Sequence, residues 1–146
     1  MRSFIGIDPG KKGAIAIIDE WDSMDANLTA IKMPTTVHDL INEISPLPET
    51  STTVVLEKVH SMPGNSGRSM FTFGKWYGYI EALIAEKGYR YKEVAPNTWM
   101  KKMGCQTGGD KNVTKAAAQK LWPKMKITHN IADAILIAEY CRLISK

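Results

Sequence analysis

Short apolar, β-branched runs bounded by turn residues separate strands along this chain from longer stretches in which apolar positions recur every third or fourth residue, which are helices. Residues 4–8 (FIGID) are apolar and β-branched and stop at Pro9-Gly10, which ends pairing and turns the chain. Residues 13–19 (GAIAIID) read as a second strand, and the short Gly-containing link makes the two a hairpin. Residues 28–33 (LTAIKM) continue the meander. Behind Thr35 or Thr36 as cap, Val37, Leu40, Ile41 and Ile44 fall at helical spacing until Pro46 and Pro48 end the run. Residues 52–59 (TTVVLEKV) form the most β-like stretch. Because that stretch follows a helix, it is expected to lie parallel to the first strand through a right-handed crossover.

After a Pro/Gly/Ser/Asn loop over 61–69, Met70, Phe73, Tyr77, Ile80, Leu83 and Ile84 predict a long amphipathic helix reaching Gly88. Residues 90–95 make a fifth strand, Pro96 opens a short helix through Met103, and 104–109 form a second Gly-rich loop. Residues 111–121 are helical with Pro123 as a stop, and 130–143 close the chain as a mostly buried helix. The expectation is one α/β domain over 1–146, with a five-stranded mixed sheet, three antiparallel strands followed by parallel ones, and helices on both faces. Met70, Phe73, Trp76 and Tyr77 give the long helix more apolar surface than one sheet face needs, which predicts a homodimer interface there.

The 146 residues are 44% hydrophobic and 23% charged, which excludes wholesale disorder, collagen-like repeats and long coiled coil. The formal charge of +4 suits a polyanionic partner without demanding one. Cys105 and Cys141 have neither metal-ligand spacing nor a disulfide framework around them, so both are expected to be reduced. No apolar run approaches a membrane span and Asp8 interrupts the first one, so a cytoplasmic location is expected, in a bacterium or a phage-infected host.

Three carboxylates stand where carboxylates are costly. Strand alternation puts Phe4, Gly6 and Asp8 on one face, with Asp8 at the carboxyl end of a central strand. Glu57 interrupts VVLEKV in the same way, and Asp133 sits inside IADAILIA. Singly, Asp8 could be a turn former, Glu57 could pair with a distant Lys or Arg, and Asp133 could be a first-turn acid favoured by the helix dipole. Jointly, ionised groups among apolar neighbours call for a cation, and an oxygen-ligand site for Mg²⁺ or Mn²⁺ accounts for all three.

FIGIDPG, GAIAIID, VVLEKVHSMPGNSGRS, VAPNTWMKKMG and HNIADAILIA, in that order, resemble the RuvC-type Holliday junction resolvases of the RNase H-like superfamily, in a small form such as a phage encodes. The resemblance implies that Asp8, Glu57 and Asp133 belong to a metal cluster, with two ions per site. It places a fourth ligand three residues before Asp133, where Asn130 stands instead of the usual Asp or His. His129, one helical turn from Asp133, is the alternative, with Asn130 preferred for its register. His60 stands where the family has an aromatic wedge, a role left to Met62 or Phe71.

A resolvase hydrolyses a phosphodiester, and a two-metal site clamps the attacking and leaving oxygens. The resemblance therefore implies an Mg²⁺-dependent endonuclease making paired nicks in branched DNA as a homodimer. Lys11, Lys12, His60, Arg68, Lys75, Lys101, Lys102, Lys111 and Lys115 are the expected DNA contacts. Rival readings are a nuclease for RNA hybrids or flaps, a catalytically inactive DNA-binding module, and an actin-like ATP-binding fold, for which the chain is short.

Overall fold

A computed structural model describes residues 1–22, 24–59 and 64–146. The elements are β1 (Arg2–Asp8), β2 (Ala14–Asp22), β3 (Asp25–Lys32), α1 (Val37–Ile44), β4 (Thr52–Glu57), α2 (Gly67–Lys87), β5 (Arg90–Val94), α3 (Pro96–Met103), α4 (Lys111–Leu121) and α5 (His129–Ile144). The sheet order is β3-β2-β1-β4-β5, with β1, β2 and β3 antiparallel and β4 and β5 joined in parallel to β1. This is the mixed sheet the sequence predicts, and β1 is its central strand.

Alternation divides the core into two layers. Phe4, Ala14, Ala16, Ile18, Val55 and Val94 face α3, α4 and α5. Ile5, Ile7, Ile15, Ile17, Val54 and Leu56 face α1 and α2. The helices start where local chemistry caps them. Thr36, Ser66 and Asp110 each accept a bond from a backbone N–H in the first turn of the helix that follows. Left-handed Gly88 and Gly104 close α2 and α3.

Several predicted boundaries move. Strand β3 begins at Asp25 rather than residue 28, because pairing with β2 carries its polar start into the ladder as far as Asp22 opposite Asp25. Helix α2 begins at Gly67, one residue after its Ser66 cap, rather than at Met70. Strand β4 stops at Glu57, two residues short of the predicted end. A short 3-10 turn, Glu49–Ser51, precedes β4. Trp76 is part of the chain's own core, edge-on to Tyr79 at 5.9 Å, so it supplies no surplus surface for a partner. The apolar residue that α2 leaves in solvent is Phe71, 73% exposed.

Candidate active site

The three carboxylates meet at the carboxyl end of the sheet because two small-residue contacts bring a helix down onto it. A Cβ on Gly6 would lie 2.2 Å from the Ala138 backbone N and 2.4 Å from the Ala134 carbonyl O. Only glycine lets α5 cross β1 this closely. Two residues beyond Gly6 on the same face, Asp8 therefore comes against the helix turn that carries Asp133. In parallel register Ile7 pairs with Leu56, so Asp8 and Glu57 are the next residues along neighbouring strands. The turn after β1 is equally tight, since a Cβ on Gly13 would meet the Asp8 carbonyl O at 1.9 Å.

Electrostatics show that the three acids form one cluster. Burial, then the charges of Glu57 and Asp133, push Asp8 from an ordinary 3.8 up to about 8, against a smaller opposing pull from Lys111. Burial raises Glu57 to about 7, with Asp133 adding to the rise and the Trp99 indole opposing it. Asp133 is also raised by burial, with Thr114 and Lys111 acting the other way. Among the described residues none of the three is in a salt bridge. That removes the reading of Glu57 as half of an ordinary ion pair. Asp133 is the fifth residue of α5, past its first turn, so the helix dipole does not account for it either.

A cleft of about 760 Å³ opens over the cluster, lined by Asp8 and Asp133, by the turn residues Gly10, Lys11, Lys12 and Gly13, by Arg68, Ser69, Thr72 and Phe73 of α2, and by Lys111 of α4. Of the expected DNA contacts, Lys11, Lys12, Arg68 and Lys111 line this cleft. Lys75 lies along α2 with its ammonium 5.9 Å from the Tyr79 ring. Lys101 and Lys102 end α3, and Lys115 lies one turn along α4 from Lys111; none of these lines the cleft. His60 and Met62 lie outside the described residues.

Of the two fourth-ligand candidates, His129 has a partner within the fold. The ring Nε2 of His129 is 2.9 Å from Asn112 Oδ1, tying the start of α5 to α4. Asn130 is exposed and is not part of the cleft wall. Among the described residues no group of three or more His, Cys, Asp and Glu is arranged as a ready metal-binding cage. The donor chemistry nonetheless fits a hard divalent cation: three mutually repelling carboxylates, Glu57 buried and Asp8 and Asp133 half-buried, with Lys111 offsetting the latter two. Asp8, Glu57 and Asp133 are the groups that would hold it.

Sequence reasoning missed two features of the site. Trp99, fully buried on α3, donates its indole N–H to Glu57 Oε2 at 2.7 Å. A lone Trp among the polar residues of PNTWMKKM is the signal that could have drawn attention to it. The other is the Gly6 contact with Ala134 and Ala138, whose small side chains on α5 are visible in IADAILIA but whose partner strand is not. Cys105 and Cys141 are free, buried thiols, and burial pushes the latter up to about 12. No helix among the described residues is long and apolar enough to cross a membrane.

No protein-family model matches the chain, and no curated protein matches it by sequence. Solved structures do. RuvC of Thermus thermophilus in complex with a Holliday junction substrate superposes with a TM-score of 0.69 at 13% identity, over 99% of this chain and 95% of that one. A second Thermus thermophilus RuvC structure gives 0.65 at 14% identity, over 98% and 95%. The fold is therefore RuvC-type and RNase H-like, an α/β architecture whose central strand ends at Asp8.

Proposed function

We propose that this protein is a divalent-metal-dependent endonuclease that resolves four-way DNA junctions by paired phosphodiester hydrolysis as a homodimer. The observation that carries the reading is the trio of Asp8, Glu57 and Asp133, in no salt bridge among the described residues, beside a basic cleft at the sheet end where β1 and β4 finish side by side. The fold of a neighbour in complex with a Holliday junction substrate supports branched DNA over other polyanions.

In this reading Mg²⁺ or Mn²⁺, two ions per site, supplies charge neutralisation at the attacking and leaving oxygens. Asp8, Glu57 and Asp133 would hold the ions, with Asn130, at the register the resemblance gives the fourth ligand, as the further oxygen donor. Lys11, Lys12 and Arg68 bind the phosphates flanking the scissile one, and Lys111 stabilises the negative charge that develops on the phosphoryl oxygens. Lys75, Lys101, Lys102 and Lys115 extend the phosphate track outside the cleft, with salt-sensitive affinity. The wedge role falls to Met62 or to Phe71, and the 73% exposure of Phe71 on α2 supports the latter. Two symmetric nicks need two sites, and α2 is the helix against which a second copy is placed. Such an enzyme works where DNA recombines, in the cytoplasm of a bacterium or a phage-infected cell.

The test is cleavage of a synthetic four-way junction with Mg²⁺, beside fork, linear duplex and RNA–DNA hybrid controls. Paired nicks confined to the junction support the reading. Preferential cleavage of the hybrid or the fork would replace the substrate while keeping the site, and binding without cleavage of any of them would replace the enzyme by a DNA-binding module.

A further inference from the structure

We propose that Trp99 is a positioning residue for the nuclease site: its indole N–H holds one oxygen of Glu57 and thereby fixes how that carboxylate is presented to the cluster. The inference rests on the nuclease reading and adds to it a residue whose side chain touches neither solvent nor the cleft.

The contact is short, 2.7 Å between Trp99 Nε1 and Glu57 Oε2, in the range of a charge-assisted bond. Both partners are held independently of it. Glu57 ends β4 opposite Val94 of β5, and Lys58 N donates to the Val94 carbonyl at 2.8 Å. Helix α3 starts two residues after Val94, with Pro96 in its first turn, and is closed by left-handed Gly104. The strand residue beside Glu57 thus leads directly into the short helix that returns Trp99 to the Glu57 side chain. Because Trp99 is fully buried, its ring cannot swing away without opening a cavity.

A second Trp–Glu pair in the same chain shows what a purely structural version looks like. Trp122 Nε1 donates to Glu139 Oε1 at 2.9 Å, but Glu139 is also paired with Arg142, which bonds Glu20 in turn. That carboxylate is neutralised within the fold. Glu57 is in no salt bridge among the described residues, so Trp99 orients its charge without cancelling it. An indole donor does this where a Lys or Arg would not, since a full positive charge there would compete with a bound cation. Partners that orient ligands without binding the ion typically change metal affinity or activity by about 10- to 100-fold when removed.

The experiment compares wild type, Trp99→Phe, Glu57→Gln, the double variant, and a protein carrying benzothienylalanine at position 99, which keeps the ring shape and lacks the N–H. The indole resonance of Trp99 is identified in nitrogen-labelled protein by its loss in Trp99→Phe. It is expected to shift on Mg²⁺ addition and in Glu57→Gln. The benzothienyl protein is expected to lose about tenfold or more in junction cleavage and to need more Mg²⁺ for half-saturation, with metal-free junction binding unchanged. Trp99→Phe added to Glu57→Gln should bring no further loss of Mg²⁺ binding. If wild type cleaves and the benzothienyl protein matches it in rate and Mg²⁺ requirement, the inference is overturned. If wild type cleaves no branched DNA, the nuclease reading fails instead, and an indole resonance indifferent to Glu57→Gln then overturns the Trp99 assignment separately.

Discussion

Replacing Asp8 by Asn should stabilise the metal-free protein while abolishing its chemistry. Asp8 rises from 3.8 to about 8 on folding, chiefly through burial and then through Glu57 and Asp133. Below about pH 4 the acid is neutral in both the folded and unfolded chain and costs nothing. Between about pH 4 and pH 8 the unfolded chain releases the proton while the folded one retains it, so stability falls with rising pH and levels off above. At about 1.4 kcal/mol per tenfold change in proton affinity, the full rise corresponds to about 6 kcal/mol. The cleft admits solvent, which screens the charge, so about half, roughly 3 kcal/mol, is expected for Asp8→Asn at pH 8.5. For a domain of this size that is about 10 °C in Tm. The assay is thermal unfolding of both proteins in EDTA at pH 4 and pH 8.5, then with Mg²⁺. Asn should win at pH 8.5 and tie at pH 4, and Mg²⁺ should raise wild type more than the variant. A variant no more stable than wild type at pH 8.5, or equally ahead at both pH values, would refute the electrostatic argument.

Gly6→Ala should destabilise by about 3 kcal/mol or more, read by urea unfolding, because its Cβ would meet α5 backbone at 2.2 Å and that helix cannot yield without lifting Asp133 from Asp8. The same change should depress cleavage beyond what lost stability explains. His129→Ala should cost about 1 kcal/mol through the lost contact to Asn112 and leave cleavage nearly intact, whereas Asn130→Asp should keep activity and tighten Mg²⁺ binding, both followed by Mg²⁺ titration of the cleavage rate. A crippled His129→Ala with normal stability would hand the fourth-ligand role to His129.

The architecture was legible because the central strands are continuous apolar runs bounded by turn residues, and strand alternation then gives each two buried faces: FIGID and TTVVLE each bury one face against α5 and the other against α1 and α2. The same alternation put Gly6 and Asp8 on one face, and the cost of buried charge singled out Glu57 and Asp133. Illegible were the facts that depend on distance through space. Trp99 lies 42 residues from Glu57, and nothing local in PNTWMKKM says where an indole will point. Residues 25–27 carry no strand signal of their own, and only pairing with β2 makes Asp25 part of a strand. Trp76 looked like spare surface because one-dimensional spacing does not say how wide a stripe the fold will cover; Val54 and Leu56 of β4, and Tyr89 just before β5, belong to the same core layer as Trp76.

The central claim is that Asp8, Glu57 and Asp133 act together in metal-dependent cleavage of branched DNA. Its most direct measurement is nicking of a labelled four-way junction in Mg²⁺ by wild type and by Asp8→Asn, Glu57→Gln and Asp133→Asn, with junction binding measured in EDTA alongside. Paired nicks by wild type, loss of cleavage in all three variants, and binding at wild-type strength in each are the predicted result, since Lys11, Lys12, Arg68 and Lys111 are untouched. Cleavage at wild-type rate by any one of the three, or cleavage by wild type that persists in EDTA, would contradict it.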